Sequence, residues 1–427
     1  MSTQAIVFGG LPSTTPVRTG FFLLLLFFGA LQPFSIMFHG FGISSNYLYL
    51  LFPSFFVLLG INRHLIIRKQ VLYIIGVYLL IYLVGIPDDI SKLNGNPIRR
   101  LASFMVFIFP LFLSFIEFKP DDVVRFKKAL ILAALCYSLI HISTFIELRD
   151  TYTIYTGLKG FVGSQRYGFI LCLGLFVVLF NDRLIFKEWI GLQRGIYSLI
   201  ILIGIGFTFS RASIVAALGG LAFFLVVKFI KSVRASIEKK SFTLINIKRT
   251  LIYPAVTLVL IISSFYLFEN YFHSSVLDFY STRLFHFNFL DHFGPGSNPA
   301  SSEGKRYYLL MKVFDYLSTH PIFGSNYQGL YLLYDEFSGG MSTHNQYADV
   351  FLRTGLLGGA LWLFLLYKII RFCSHDKGLQ IGLVAFLIYG LFHETFKLSY
   401  GSFVFGILLS FSYVNTSLRT LRPSSEG

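Results

Sequence analysis

Long apolar runs, recurring from near the first residue to near the last, constrain this chain more than any other feature. A run of roughly 16 to 20 apolar residues matches a bilayer core about 30 Å thick at about 1.5 Å rise per residue. Inside hydrocarbon no water is present to bond bare N–H and C=O groups, so each such run must be helical. The runs predict about twelve spans, near 19–38, 44–61, 71–87, 101–118, 129–147, 167–180, 196–210, 212–230, 251–268, 348–370, 379–396 and 399–416. Spans six and seven are short. Composition agrees: of 427 residues 55% are hydrophobic and only 13% charged, against about 25% charged in soluble domains. The expected fold is an all-α integral membrane protein, with residues 1–427 forming one polytopic domain.

The net charge of +15 does not point to nucleic acid. The basic residues sit mostly in short loops between apolar runs, where they set topology and meet anionic lipid. One alternating set contains Arg63, Arg68 and Lys69, then Lys119, Arg125, Lys127 and Lys128, then Arg183, Lys187 and Arg194. Lys231, Arg234, Lys239, Lys240, Lys248, Arg249, Arg371, Lys377, Arg419 and Arg422 continue it. These loops, and with them both termini, are expected in the cytoplasm. Lys92, Arg99 and Arg100 stand as an exception on the other side. Cys136, Cys172 and Cys373 form no CxxC pair or His–Cys cluster, so neither a structural disulfide nor a zinc site is expected. The first apolar run lacks a clear small-residue cleavage site, so no cleavable signal peptide is read.

Residues 269–347 form the one long polar interruption and are expected outside, as a periplasmic loop inserted between spans nine and ten. Tyr308, Leu309, Val313, Phe314 and Leu317 recur at helical spacing, with Glu303 in the first turn and Pro321 past the end. The spacing predicts one or two amphipathic helices lying over the membrane domain. The stretch 291–304 reads as loop, and Gly339-Gly340 as a breaker.

Chemistry-bearing residues gather at the outer helix mouths. His344 heads span ten in Thr343-His344-Asn345-Gln346-Tyr347. With Ser342 or Thr343 as N-cap, His344 and Asn345 fall in the first turn, where the helix dipole disfavours imidazolium and keeps a neutral base. A structural hydrogen bond of an interfacial His explains the position equally well. Arg211, in Thr208-Phe209-Ser210-Arg211-Ala212, is either a snorkelling interfacial cation or a fixed fork for phosphate. Arg306 in the loop helix, Arg166 at the mouth of span six and Arg283 carry the same two readings, solvated charge or anion ligand. The ionisable pair His393-Glu394 near the outer end of span eleven is a site candidate or a structural hydrogen-bonding pair.

The order of these elements resembles a known family. Thr208 to Ala212 opens an outer-entry helix; Arg306 follows, then Thr319-His320-Pro321-Ile322-Phe323-Gly324, then His344-Asn345-Gln346-Tyr347 and Arg353-Thr354-Gly355-Leu356-Leu357-Gly358. The series resembles the O-antigen ligase and Wzy-type polymerase superfamily of bacterial envelope glycan enzymes, over about residues 160–400. Ala212 stands where the family often has Gly, and Ser164-Gln165-Arg166 where it often has an Asn-Pro-Asn-like motif. The resemblance implies a GT-C-like membrane fold and an inverting, metal-independent glycosyltransferase without cofactor. It implies a glycan on undecaprenyl pyrophosphate as donor. His344 matches the family's base, and Arg211 and Arg306 match its pyrophosphate-facing arginines; Arg166, Asn345, Tyr347, Arg283, His393 and Glu394 are expected to bind substrate. The acceptor is a second lipid-linked glycan for a polymerase, the favoured reading, or lipid A–core for a ligase. A chain-length regulator is a further partner open to a polymerase. A transporter or flippase for the same lipid is the alternative of another class, although no internal repeat is read. The expected location is the bacterial inner membrane, with the site facing the periplasm.

Overall fold

A computed structural model describes residues 67–87, 97–148, 168–181, 190–208, 210–238, 302–329, 344–393, 395 and 399–414. The expected spans 19–38, 44–61 and 251–268 lie outside the described residues. Among those described, every regular element is a helix. They are α1 (Lys69–Val84), α2 (Pro97–Leu113), α3 (Pro120–Leu148), α4 (Gly168–Phe180) and α5 (Ile190–Phe207), followed by α6 (Arg211–Glu238), α7 (Ser302–Thr319), α8 (Gln346–Cys373), α9 (Lys377–Gly390) and α10 (Ser399–Phe411). Among the described residues, three stretches are long and apolar enough, by length and composition, to cross a membrane: Ile190–Phe207, Ala212–Lys231 and Gln346–Cys373.

Local chemistry sets the helix starts. Pro97 and Pro120 occupy first helical positions, where a missing N–H costs nothing. In the first turn of α3, Asp122 reaches back to accept from the Lys119 N–H at 2.9 Å, the returning half of a capping box. Asp376 caps α9 by accepting from Leu379 N–H at 3.0 Å.

The short helix α4 is the axis of the bundle. Every residue from Gly168 to Val178 is buried, and α3, α5, α6 and α9 all pack on it. Its continuous apolar run therefore faces protein, which explains why it is short for a lipid-exposed span. Small residues let the axes approach: a Cβ on Gly174 would meet Ala134 of α3, and one on Gly204 would meet Ser138. In lipid, such close van der Waals contact replaces the hydrophobic drive between helices. Peripheral helices show the converse. Val226, Phe229 and Ile230 of α6 and Leu72, Tyr73 and Leu80 of α1 are exposed, as a lipid-facing surface requires.

The tenth expected span is not one straight helix. Gly355 takes φ 63°, ψ −166° and breaks α8. The fold-back is sharp enough that Tyr347 and Trp362, on opposite sides of the break, meet edge to face with centroids 5.8 Å apart. The break exposes backbone groups, and a distant loop satisfies them. Ser325 N–H donates to Leu352 C=O at 2.6 Å, Tyr327 N–H to Arg353 C=O at 2.9 Å, and Leu356 N–H to Pro321 C=O at 2.7 Å. Thus Pro321-Ile322-Phe323-Gly324, just past α7, plugs Arg353-Thr354-Gly355-Leu356.

The helix predicted in the polar stretch is α7. It starts at Ser302, so residues 302–304 are helical rather than loop. Leu309 and Val313 pack on Ala348 and Leu352 of α8, while Tyr308 and Phe314 are exposed. Its C-terminal end leads into the plug at Leu352–Leu357, so α7 and the first part of α8 run side by side in one direction.

Contacts sort the helix ends into two groups. At one end Arg68 Nε donates to Ser114 C=O at 2.7 Å, Lys127 pairs with Asp376 at 2.7 Å, and Arg194 donates to Asn181 C=O at 2.8 Å. These cations belong to the basic loops. At the other end stand the starts of α2, α4, α6 and α8. Arg100 lies there buried, donating to Asn326 C=O at 2.9 Å and to Tyr82 C=O, with its guanidinium over the Tyr82 ring. Its charge is used inside the protein. This accounts for its standing as an exception to the charge pattern, since a charge count cannot tell a buried cation from a surface one. Lys92 lies outside the described residues, as does the Arg99 side chain.

Candidate functional site

The second end carries the candidate residues. Asn345 is the N-cap of α8: its Oδ1 accepts from Tyr347 N–H and Ala348 N–H, both at 3.0 Å. This corrects the expected cap at Ser342 or Thr343, which lie outside the described residues. Asn is a strong cap because a short side chain reaches two orphan N–H groups. His344 therefore precedes the helix, in the left-handed region at φ 48°, a conformation in which His is enriched among non-Gly residues.

From that turn His344 meets His393. Their ring centroids lie 6.2 Å apart, edge to face. His393 in turn stacks on Tyr389 at 4.9 Å, and both imidazoles are half-buried. Tyr389, fully buried near the end of α9, is the hub of this end. Its ring lies 6.0 Å from that of Phe169, and a Cβ on Gly168 would collide with both Tyr389 and Ser213. The first turns of α4 and α6 thus close on the tyrosine that carries His393.

Arg211 is the first residue of α6. A tight connection sets it there: Thr208 Oγ1 donates to Ile205 C=O at 2.7 Å and accepts from Ser210 N–H at 3.3 Å. The neighbouring Ser210, Ala212 and Ser213 are buried. The Arg211 side chain, and the whole of Arg166, Arg283 and Glu394, lie outside the described residues. Arg306 is half-buried on α7, on the face that carries Leu309 and Val313 to α8. The parallel course of α7 and α8 directs it toward the end of α8 that His344 precedes.

Two expected ligands also make scaffold contacts. Asn345 spends its carbonyl oxygen on the cap, and Tyr347 donates its hydroxyl to Leu387 C=O at 2.9 Å, tying α8 to α9. Other residues that organise this end were given no role from sequence. Arg353 is 2% exposed and grips Asp349 through Nε at 2.9 and 2.8 Å. Its Nη1 donates to Ser103 Oγ at 2.7 Å and to Tyr327 C=O at 3.0 Å. One guanidinium thereby joins α8, α2 and the plug behind α7. The available signal was Asp349 and Arg353 at i, i+4 inside an apolar run, where charges are costly unless paired. Tyr389 had no such signal, being one of 25 tyrosines.

Residues 196–363 match the family described as O-antigen ligase. The match opens within α5 and closes within α8, so it includes Arg211, Arg306 and His344 and leaves out Arg166, His393 and Glu394. The resemblance read from the motifs is matched by that family over this stretch. The match supports, at family level, a function of the O-antigen ligase or polymerase type, and the helices are consistent with a membrane protein. No curated protein and no solved structure matches the chain.

Proposed function

We propose that the protein is an inverting, metal-independent glycosyltransferase. It transfers an oligosaccharide from undecaprenyl pyrophosphate during assembly of a surface polysaccharide, most simply as the polymerase of repeat units. The observation that carries this reading is the His344–His393 pair, standing where the helix begun by Arg211 closes on Tyr389, in a chain whose residues 196–363 match the O-antigen ligase family.

The chemistry follows from the residue types. An acceptor hydroxyl gives its proton to the His344 imidazole as its oxygen attacks the anomeric carbon. The C1–O bond to pyrophosphate breaks on the opposite face, and its electron pair leaves with the phosphate oxygen. Arg211 and Arg306 stabilise the growing negative charge with fixed positive groups, which act most strongly where water is scarce. Attack and departure on opposite faces invert the anomeric centre. His393, stacked on Tyr389, limits the orientations open to His344. Arg166, Arg283 and Glu394 complete the substrate contacts in this reading. Alignment of two lipid-anchored reactants contributes up to roughly 7–11 kcal/mol.

The ligase remains the second reading, favoured by the description of the matched family. Purified protein in vesicles with undecaprenyl-pyrophosphate repeat units decides. A ladder of products identifies a polymerase. Reaction only after lipid A–core is added identifies a ligase. Transbilayer movement of the lipid without a new glycosidic bond identifies a flippase and removes the transferase reading. The inner membrane, cytoplasmic termini and a periplasmic site belong to the same proposal, supported by the basic residues at the end opposite His344.

A further inference from the structure

At the end of the bundle opposite His344, two cations share one aromatic ring. Arg68 Cζ lies 4.5 Å from the Tyr413 ring centroid, and Lys368 Nζ lies 4.4 Å from it. Lys368 also donates to the Tyr413 hydroxyl at 3.1 Å and to Gln70 Oε1 at 2.8 Å. The residue before α1, the last part of α8 and the turn after α10 thus converge on one point. Arg68 anchors itself through Nε on Ser114 C=O; among the described residues, its terminal nitrogens have no hydrogen-bond acceptor.

This pair differs from two other cations at the same end. Arg125 and Lys127 each hold a carboxylate, Asp122 and Asp376, at 3.0 and 2.7 Å. Neither Arg68 nor Lys368 makes an ion pair among the described residues. Glu117 is the acid whose charge acts on Arg68, and it is exposed. The Arg68 charge acts on Lys368 as well, and this repulsion grows as water is excluded. Contact with the ring face offsets part of it. An anion beside the ring would offset the rest.

The surroundings say which anion. Phe364 is 43% exposed, Tyr367 58% and Ile370 43% on α8, and Leu72 51% and Tyr73 72% on α1. Phe364 lies 5.2 Å from Lys368 Nζ and one turn nearer the middle of α8. The cations therefore cap an exposed apolar strip that runs along a span-length helix. A soluble anion has no use for that strip; a headgroup phosphate carrying acyl chains fits both parts. Basic pockets between membrane helices bind acidic headgroups in this way.

We propose that Arg68, Lys368 and Tyr413 bind the phosphate of an anionic phospholipid in the leaflet at this end, with an acyl chain along Phe364 and Tyr367. The basic loops make that leaflet the cytoplasmic one. The inference is independent of the transferase reading, because it rests on the opposite end of the molecule.

The test uses delipidated full-length protein in neutral detergent, titrated with phosphatidylglycerol, phosphatidylcholine or inorganic phosphate while Tm is followed. A ligand that binds only the folded state raises Tm with concentration. Phosphatidylglycerol is expected to raise Tm, and the other two are not. In Lys368→Gln and Arg68→Gln the rise is expected to fall by more than half, and Arg68→Lys is expected to restore part of it. Should Arg68→Gln fail to fold, Lys368→Gln decides alone. An equal rise with phosphatidylcholine or with inorganic phosphate overturns the proposal, as does a full phosphatidylglycerol response in Lys368→Gln.

Discussion

His344 combines two demands that a single substitution can separate. Its backbone needs the left-handed region, which Gly enters without cost, and its ring is the proposed base. His344→Gly is expected to keep the start of α8 and lose transfer by about 10²–10⁴-fold, the usual contribution of general base catalysis. His344→Ala is expected to lose transfer equally and to add strain. Single-turnover rates beside thermal unfolding separate the two, and wild-type rates in His344→Gly would remove the base. Arg353 is a different kind of residue. Asp349→Ala or Arg353→Ala leaves a charge buried without its partner, at a cost of about 3–5 kcal/mol. The double change Asp349→Leu with Arg353→Met is expected to recover much of that stability in detergent denaturation, because the strain of the lone charge is gone. The residue scale was partly legible in the sequence. His344 and Arg211 stood out by type and position at a helix mouth. Arg100 stood as an unexplained exception, and Arg353 and Tyr389 were not given roles, because roles inside a bundle depend on partners far away in the chain.

At the scale of elements, α7 was readable because its buried positions recur at helical spacing around Leu309 and Val313. The break in α8 was not. Glycine is ordinary in membrane helices, and nothing near Gly355 announces that its neighbours bond to Pro321–Tyr327. Two glycines make that docking possible. Gly324 at φ 60° and Gly355 at φ 63° face each other so closely that a Cβ on either would enter the opposite backbone. Gly355→Ala therefore combines the strain of a backbone conformation all but restricted to glycine, roughly 1–3 kcal/mol, with a collision against Ile322. The expected result is release of the 320–329 plug, seen as faster amide exchange there and as lowered transfer through displaced α7. Unchanged exchange in Gly355→Ala would show that the plug is held by other means. Span length was legible only for lipid-facing elements. α4 is short because protein covers it from Gly168 to Val178, and hydropathy alone does not distinguish such a core helix from a span.

For the whole molecule, the account assigns opposite duties to the two ends. The proposed chemistry lies at the His344 end, and the basic loops lie at the Arg68 end. Thiol labelling reads this directly in a Cys136→Ser background, since Cys136 is exposed while Cys172 and Cys373 are buried. An impermeant maleimide added to spheroplasts is expected to label Asp315→Cys on α7 and to reach Asp121→Cys on α3 only after permeabilisation. The reverse pattern would put the candidate site on the cytoplasmic side. The polytopic helical class was legible because lipid allows so few backbone solutions. The grouping of helix mouths around Tyr389 depends on packing between distant segments, which periodicity does not encode.

One measurement bears most directly on the central claim: undecaprenyl pyrophosphate released per glycosidic bond in a single turnover, in EDTA, by purified wild type, His344→Gly, Arg211→Ala and Arg306→Ala. The account predicts one pyrophosphate lipid released per bond by the wild type, with transfer lost in each variant that still inserts and unfolds as the wild type does. Wild-type turnover in all three variants, or a strict need for added metal, would contradict it.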